Sequence, residues 1–258
     1  GYVAPTYEVA AVYGGGNLAD YKATGKKASV RIETCDVSIR DVYGGGNAAE
    51  VPETDVLVRG AYEIQEVFGG GNGRDPYTTD GGTTWTDNPG ANIGNQATPG
   101  NATTLLTGGY VHEAYGGSNK KSTIYGNISI DMGTGSSVDN TNGICTLDVE
   151  KLVGGGKDAD VYGDLIMVMD CKPDVKTPVL YAGADNANVN GDVELTITSG
   201  KFGKVFGGNN QGGLIMGHII LNIEETGECE TPIEIDELYL GGNEAMYSRY
   251  GYYKDGDT

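Results

Sequence analysis

An aromatic ring in a polar loop, with carboxylates and amides around it, is an arrangement that holds a sugar. The ring stacks on the apolar face of the pyranose while Asp and Asn accept its hydroxyl protons. Residues 73–104 offer such a set: Trp85, the single tryptophan of the chain, with Tyr77 and with Asp75, Asp80 and Asp87. The plainer alternative is a long surface loop whose Trp85 packs against the flank of the fold.

A second chemistry is that of oxygen ligands. Asp158, Asp160 and Asp164 crowd around one turn, and Asp185 falls in the equivalent corner of the following repeat. Stacked carboxylates of this kind could hold Ca²⁺, and otherwise form a solvated acidic face. No other cofactor is expected. Asp164 and Asp192 share one repeat position, a like-charge pair that either binds a cation or tolerates repulsion in water. The four cysteines, Cys35, Cys145, Cys171 and Cys229, all fall at or near one type of turn. Cys145 and Cys171 belong to neighbouring repeats, which puts a disulfide between them within reach and leaves stacked thiols as the alternative. Zinc has no support, because there is no C-x-x-C pair and His112 and His218 have no matching spacing. Both histidines stand where other repeats carry ordinary polar residues, and they read as solvated.

These residues must be positioned by the repeat. Val12-Tyr-Gly-Gly-Gly-Asn17 returns as VYGGGN, VFGGGN, AYGGSN, LVGGGK, LYAGAD, VFGGNN and LYLGGN, starting at Val42, Val67, Ala114, Leu152, Leu180, Val205 and Leu238. A period of about 25 to 47 residues belongs to solenoids, propellers or arrays. A second element recurs as Thr123-Ile-Tyr-Gly-Asn127, Asp160-Val-Tyr-Gly-Asp164, Asn188-Val-Asn-Gly-Asp192 and Leu214-Ile-Met-Gly-His218. It reads as a short strand closed by a turn. Alternating runs follow it, such as Ile128-Ser-Ile-Asp-Met132 and Val193-Glu-Leu-Thr-Ile197, and mark strands with one buried face. A third strand leads into the hexapeptide, as in Ala61-Tyr-Glu-Ile-Gln-Glu-Val-Phe68.

Three short strands and three turns per repeat, with no helical period, predict an all-β chain: a single-domain right-handed parallel β-helix, or β-solenoid, of about eight three-stranded coils. The coils stack about 4.8 Å apart. The corner glycines are expected at φ > 0, with no Cβ to collide with the coil above, and the Asn after them to tolerate the left-handed region and to stack its amide along the axis. The domain spans 1–258, with 73–104 extruded as a loop and the Tyr-rich segment 244–258 covering the last coil. A smaller Ser/Asn-rich excursion runs from Gly133 to Gly143. Kelch propellers have longer blades with recurrent Tyr and Trp, and calcium-binding β-rolls need tandem nonapeptides; neither pattern is met.

The apolar-aromatic-GG(G/N)N corner alternating with V-x-G turns resembles the Gly-rich right-handed β-helix repeats of bacterial cell-surface proteins, including adhesins and autotransporter-type passengers. The resemblance covers almost the whole chain and implies the fold; its motifs say little about function, since the same fold also hosts polysaccharide lyases and glycoside hydrolases.

Composition narrows the partners. A net charge of −19 repels phosphate backbones, so no nucleic acid is expected. The longest apolar runs are far shorter than a membrane span. Gly1-Tyr2-Val3 has neither the basic nor the apolar region of a targeting peptide. A polar, acidic, Tyr-rich and Asn-rich solenoid suits an extracellular or cell-surface setting. The expected function is non-enzymatic adhesion, to a glycan or a surface protein, by a bacterial cell-surface or secreted module. The alternative is a carbohydrate-active enzyme, a glycoside hydrolase or polysaccharide lyase, using carboxylates on one β-helix face.

Overall fold

The computed structural model describes residues 6–74, 78, 80–84, 90–133, 145–171, 174–225, 229, 231 and 232–245. The described residues form fifteen strands: β1 (Val9–Tyr13), β2 (Ala28–Glu33), β3 (Ser38–Tyr43), β4 (Thr54–Gly60), β5 (Glu63–Phe68), β6 (Ala102–Leu106), β7 (Tyr110–Tyr115), β8 (Ile128–Gly133), β9 (Asp148–Val153), β10 (Leu165–Asp170), β11 (Lys176–Tyr181), β12 (Val193–Ile197), β13 (Gly200–Phe206), β14 (Ile219–Ile223) and β15 (Ile233–Tyr239). The odd-numbered strands form one parallel sheet, β1-β3-β5-β7-β9-β11-β13-β15, and the even-numbered ones a second, β14-β12-β10-β8-β6-β4-β2. A third side is made by single parallel bridges linking Val51, Ile93, Ile124, Val161, Val189 and Ile215 in turn. The chain is therefore an all-β parallel β-helix, with one strand of the larger sheet for each of the eight hexapeptides.

The pattern of the sequence explains the core. Val42, Val67, Ala114, Leu152, Leu180 and Val205, the first residues of the hexapeptides, are fully buried and stack in register. They meet Val56, Ile130, Met167 and Leu195 of the even strands in one apolar cluster. Successive strand residues point to opposite faces. The second hexapeptide residues therefore leave that core and build a separate cluster of their own, Tyr43, Phe68, Tyr115, Val153, Tyr181 and Phe206.

The corner glycines serve close approach and not an unusual backbone. None of the hexapeptide glycines has positive φ, and neither does any described Asn, so the left-handed corner expected from the sequence is not the one built. A Cβ on Gly69 would lie 2.2 Å from the carbonyl oxygen of Gly116 in the next coil, so the coils could not stack at this spacing. The Asn ladder does form: Asn47 Nδ2 donates to Asn17 Oδ1 at 2.8 Å, Asn72 to Asn47 at 2.8 Å, and Asn119 to Asn72 at 2.9 Å.

The V-x-G turns are explained by a second ladder. The side chain after the glycine accepts the backbone N–H of the same position one coil on: Asn127 N–H to Asn101 Oδ1 at 2.8 Å, Asp164 to Asn127 at 3.0 Å, Asp192 to Asp164 at 2.9 Å, and His218 to Asp192 at 2.6 Å. An acceptor on a short side chain is all the position needs, which is why Asn and Asp interchange there. The like-charge pair Asp164 and Asp192 is thus held by a backbone amide, and no cation is required to explain it. Among the described residues no helix is long and apolar enough to cross a membrane.

All four cysteines lie on the corner between an even strand and the following odd strand, as their spacing suggested, but the pairing differs. Cys145 is bonded to Cys35, with Cα atoms 5.4 Å apart, and Cys171 to Cys229 at 4.9 Å. A Cys145–Cys171 disulfide is therefore excluded. Both bonds join coils that are not neighbours, with the β4–β5 and β6–β7 coils lying between Cys35 and Cys145 and the β12–β13 coil between Cys171 and Cys229, so adjacency of coils does not decide the pairing. Cys145 is buried with its sulfur over Gly60, where a Cβ would come within 2.6 Å of it.

Candidate functional site

The insertion of 73–104 leaves and rejoins the stack at one place. Gly73 and Gly90 both take positive φ, at 68° and 88°, and both pack on the backbone of Lys121. The returning limb is part of the coil and not of the loop: Ala91 and Ile93 are buried, and β6 begins at Ala102. Between them Gly94 bridges Pro99, and Asn95 Oδ1 closes the turn by accepting the N–H groups of Ala97 and Thr98, each at 3.0 Å.

This limb borders two clefts. One, of about 360 Å³, is lined by Asn92, Lys120, Lys121, Thr123, Tyr125 and the Asp158–Asp160 segment. The ring of Tyr125 stacks on that of Tyr162 at 5.2 Å, leaving Tyr162 exposed beside the cleft. The other, of about 260 Å³, lies between Tyr21, Lys22 and Lys26 on one wall and Gly94, Asn95, Thr98 and Pro99 on the other, with Val51 and Pro52 among its apolar residues and Glu50 and Glu53 among its acids. Both combine an aromatic ring with hydrogen-bonding groups of both kinds, and their size suits a small ligand or one part of a larger one.

The sequence-predicted residues divide around this limb. Asp158 and Asp160 line the first cleft, near the root of the insertion. Asp80 is described and exposed, and its carboxyl is pulled down to about 2 by the N–H of Thr84 and the hydroxyl of Thr78. It therefore braces the loop locally. Trp85, Tyr77, Asp75 and Asp87 lie outside the described residues, as do 134–143 of the smaller excursion and 246–258 of the expected cap. The first residues described include β1, which extends the larger sheet.

The four aspartates named for Ca²⁺ are not one site. Asp158 accepts from Asn186 Nδ2 at 3.0 Å, Asp160 from the N–H of Asn188 at 2.8 Å, and Asp164 from that of Asp192. Asp185 lies apart, beneath the aromatic ladder. Each satisfies a neighbouring coil, and among the described residues the ligand atoms that do converge are those of Asp170, Cys171 and Cys229, whose sulfurs are spent in a disulfide. Identical spacing in successive repeats places carboxylates in a line along the axis, whereas a metal needs them around a point.

Sequence reasoning missed two charged clusters. The aromatic ladder Tyr13–Tyr43–Phe68–Tyr115, with ring centroids 4.9 to 5.0 Å apart, resumes at Tyr181–Phe206–Tyr239. Val153 interrupts it, and two lysines fill the gap: Lys151 Nζ lies 5.3 Å and Lys157 Nζ 5.6 Å from the Tyr115 ring centroid. Lys151 pairs with the buried Asp185 at 2.8 Å, and Lys157 with Glu66. Asn210 Nδ2 donates to the other oxygen of Asp185 at 2.6 Å, and the Tyr115 hydroxyl to Glu113 at 2.5 Å. Burial, reinforced by Glu113, raises the Tyr115 hydroxyl well above its ordinary value. Burial opposes the charge on Lys157, but Glu66 together with Glu113 and Asp185 outweighs it and the ammonium is favoured. The signal in the sequence was the one non-aromatic hexapeptide, LVGGGK, which is also the only one ending in Lys.

The second cluster is on β7. His112 Nε2 lies 2.7 Å from Glu63 and Nδ1 2.8 Å from Glu150, whose other oxygen accepts the Tyr110 hydroxyl at 2.6 Å. His112 is thus a bridging residue and not the solvated side chain expected. Burial works against its charge, yet the hydrogen bonds to Glu63 and Glu150 prevail and raise its pKa. A raised folded-state pKa contributes stability below the unfolded value of about 6.5, which is lost as pH rises through the folded pKa. The melting temperature should therefore fall on going upward from pH 6.5 in the wild type, and His112→Gln should flatten that segment of the profile. Parallel profiles for the two proteins would show that the bridge carries no charge.

Neither cluster is arranged as a reaction centre. Glu63 and Glu150 are both engaged with one imidazole, and Asp185 is held by Lys151 and Asn210. No protein-family model, curated protein or solved structure matches the chain. The fold and these clefts are therefore the basis for a functional reading.

Proposed function

We propose that the chain is a non-enzymatic adhesion module of a bacterial cell surface or secreted protein, binding a glycan or a surface protein through the face where the repeat is broken. The observation that carries this reading is the returning limb of the insertion, which borders two clefts furnished with Tyr21 and Tyr125 among Lys, Asp, Glu, Asn and Thr side chains. Solenoids place insertions on one face, and that face is commonly the binding one. The pairing of all four cysteines supports an extracellular setting, because disulfides persist in oxidising compartments. The net charge of −19 favours neutral or cationic ligands over polyanions.

The aspartates that a carbohydrate-active enzyme would draw on are committed along the axis. Asp160, Asp164 and Asp192 each accept a backbone N–H from the next coil.

Alanine at Trp85, Tyr21 or Tyr125 separates the possibilities. Retention in an affinity gel containing the bound polysaccharide should fall at least tenfold for one or more of these variants, with the melting temperature nearly unchanged. A stacked ring contributes on the order of 1.5 kcal/mol, which corresponds to about that loss. Retention untouched in all three would remove the binding face from this side of the stack.

A further inference from the structure

The corner that carries Cys171 and Cys229 holds more than a disulfide. Among the described residues it is where three metal-ligating atoms converge: the two sulfurs and a carboxylate oxygen of Asp170 all lie within 4.8 Å of one another. Cys35 and Cys145, at the equivalent corner of earlier coils, gather no third ligand among those residues. Asp170 Oδ1 lies 3.5 Å from Cys229 Sγ. It also accepts the Thr198 hydroxyl at 2.7 Å, from the β12–β13 coil that lies between the two cysteines. That hydroxyl holds the carboxylate beside the sulfur.

We propose that this corner is a redox-gated zinc site, closed as the Cys171–Cys229 disulfide and formed, together with Asp170, when a thiol reductant opens that bond. This goes beyond the adhesive reading and does not depend on it. Two molecules of the reductant join as their own disulfide and pass two electrons and two protons to the sulfurs of Cys171 and Cys229. Zinc then displaces both protons, because the thiolate is the ligand, and two thiolates with one carboxylate neutralise the cation.

The geometry suits that ion. With Zn–S of about 2.3 Å and Zn–O of about 2.0 Å, a sulfur and an oxygen on tetrahedral zinc stand about 3.5 Å apart. Cys229 and Asp170 already have that separation. The two sulfurs need about 3.8 Å, which they reach by drawing apart once the bond is open. Thiolates select zinc over calcium or magnesium. Three protein ligands leave the fourth position for water. A cleft of about 430 Å³ borders the site, lined by Asp170 and Cys171 together with Asp131, Leu105 and Val168.

Two features make this the bond that opens. Both of its cysteines are half-buried, whereas Cys145 of the other bond is fully buried. Exposed disulfides are the labile ones. Cys171 also takes φ 42°, alone in positive φ among the described non-glycine residues, a conformation that side chains rarely adopt. Reduction frees that corner to relax.

The test is zinc binding by the purified chain, as isolated and after treatment with a water-soluble phosphine, which takes an oxygen from water and leaves two thiols. Bound zinc is counted by elemental analysis after gel filtration under argon, and circular dichroism checks that the sheets persist. The oxidised chain should hold no zinc and the reduced chain one per molecule. Cobalt(II) in place of zinc should give the charge-transfer absorption of thiolate ligands. Thr198→Val leaves every ligand in place and should weaken binding roughly tenfold to hundredfold, a loss that an unfolded chain binding through its cysteines would not show. Cys171→Ser with Cys229→Ser should abolish binding. Zinc on the oxidised chain, none on the reduced chain, loss of the sheets on reduction, or binding unchanged in either variant would overturn the proposal.

Discussion

Replacing Cys35 and Cys145 together by Ser is expected to lower the stability of the chain by about 2–5 kcal/mol, the usual cost of losing a native disulfide. The bond joins residues 110 apart in sequence, and constraint of the unfolded chain alone is worth about 4.8 kcal/mol at that length. The Cys171–Cys229 bond, with a separation of 58, is worth about 4.2 kcal/mol on the same reckoning. The two therefore differ little through the unfolded state. The native state distinguishes them, since Cys145 is buried over Gly60 whereas Cys171 and Cys229 are only half-buried. Urea midpoints of the two double-serine variants give the comparison. The Cys35 and Cys145 variant should be the less stable, and a midpoint equal to the wild type's would show that the stack does not rely on this bond.

Asp185→Ala should cost about 3–5 kcal/mol, as removing one member of a buried ion pair does. The loss leaves Lys151 with Glu113 at 3.5 Å as its remaining carboxylate and deprives Asn210 of its acceptor. Replacing the pair, Lys151→Met with Asp185→Leu, should recover much of the loss, because it removes the charge that the single substitution strands. Chemical denaturation of the wild type and both variants measures this directly. A cost below about 1 kcal/mol for Asp185→Ala would place the pair with weak surface bridges instead.

Most of the architecture was legible because a β-helix repeats its local code. Eight hexapeptides gave eight strands of one sheet, and the alternating runs after the V-x-G turns gave the other. What the glycines do was read less well. Sequence pattern marks a place where a side chain is unwelcome, but it does not distinguish a left-handed backbone from a neighbouring carbonyl 2.2 Å away, as at Gly69. The cysteine corner was read correctly and the partners were not: position along the repeat is encoded in spacing, whereas which coils approach one another at that corner is not, and both bonds reach past an intervening coil. The same limit dispersed the four aspartates. Asp158, Asp160 and Asp164 are neighbours in sequence but serve different ladders, and Asp185 belongs to the gap at Val153. That gap was visible as the one hexapeptide without an aromatic ring, although the charges that enter it, Lys151, Lys157 and Asp185, come from other repeat positions and are seen only in the fold. His112 was obscure because its partners, Glu63 and Glu150, come from the coils on either side, 49 and 38 residues away.

The adhesive reading is tested most directly by presenting the purified chain to a panel of host and bacterial polysaccharides and surface proteins, following retention together with the release of new reducing or unsaturated sugar ends. Retention on at least one member with no new ends formed is the predicted result. Release of new ends would contradict the reading by making the chain an enzyme, and absence of retention across the panel would contradict it by leaving the clefts beside the insertion without a ligand.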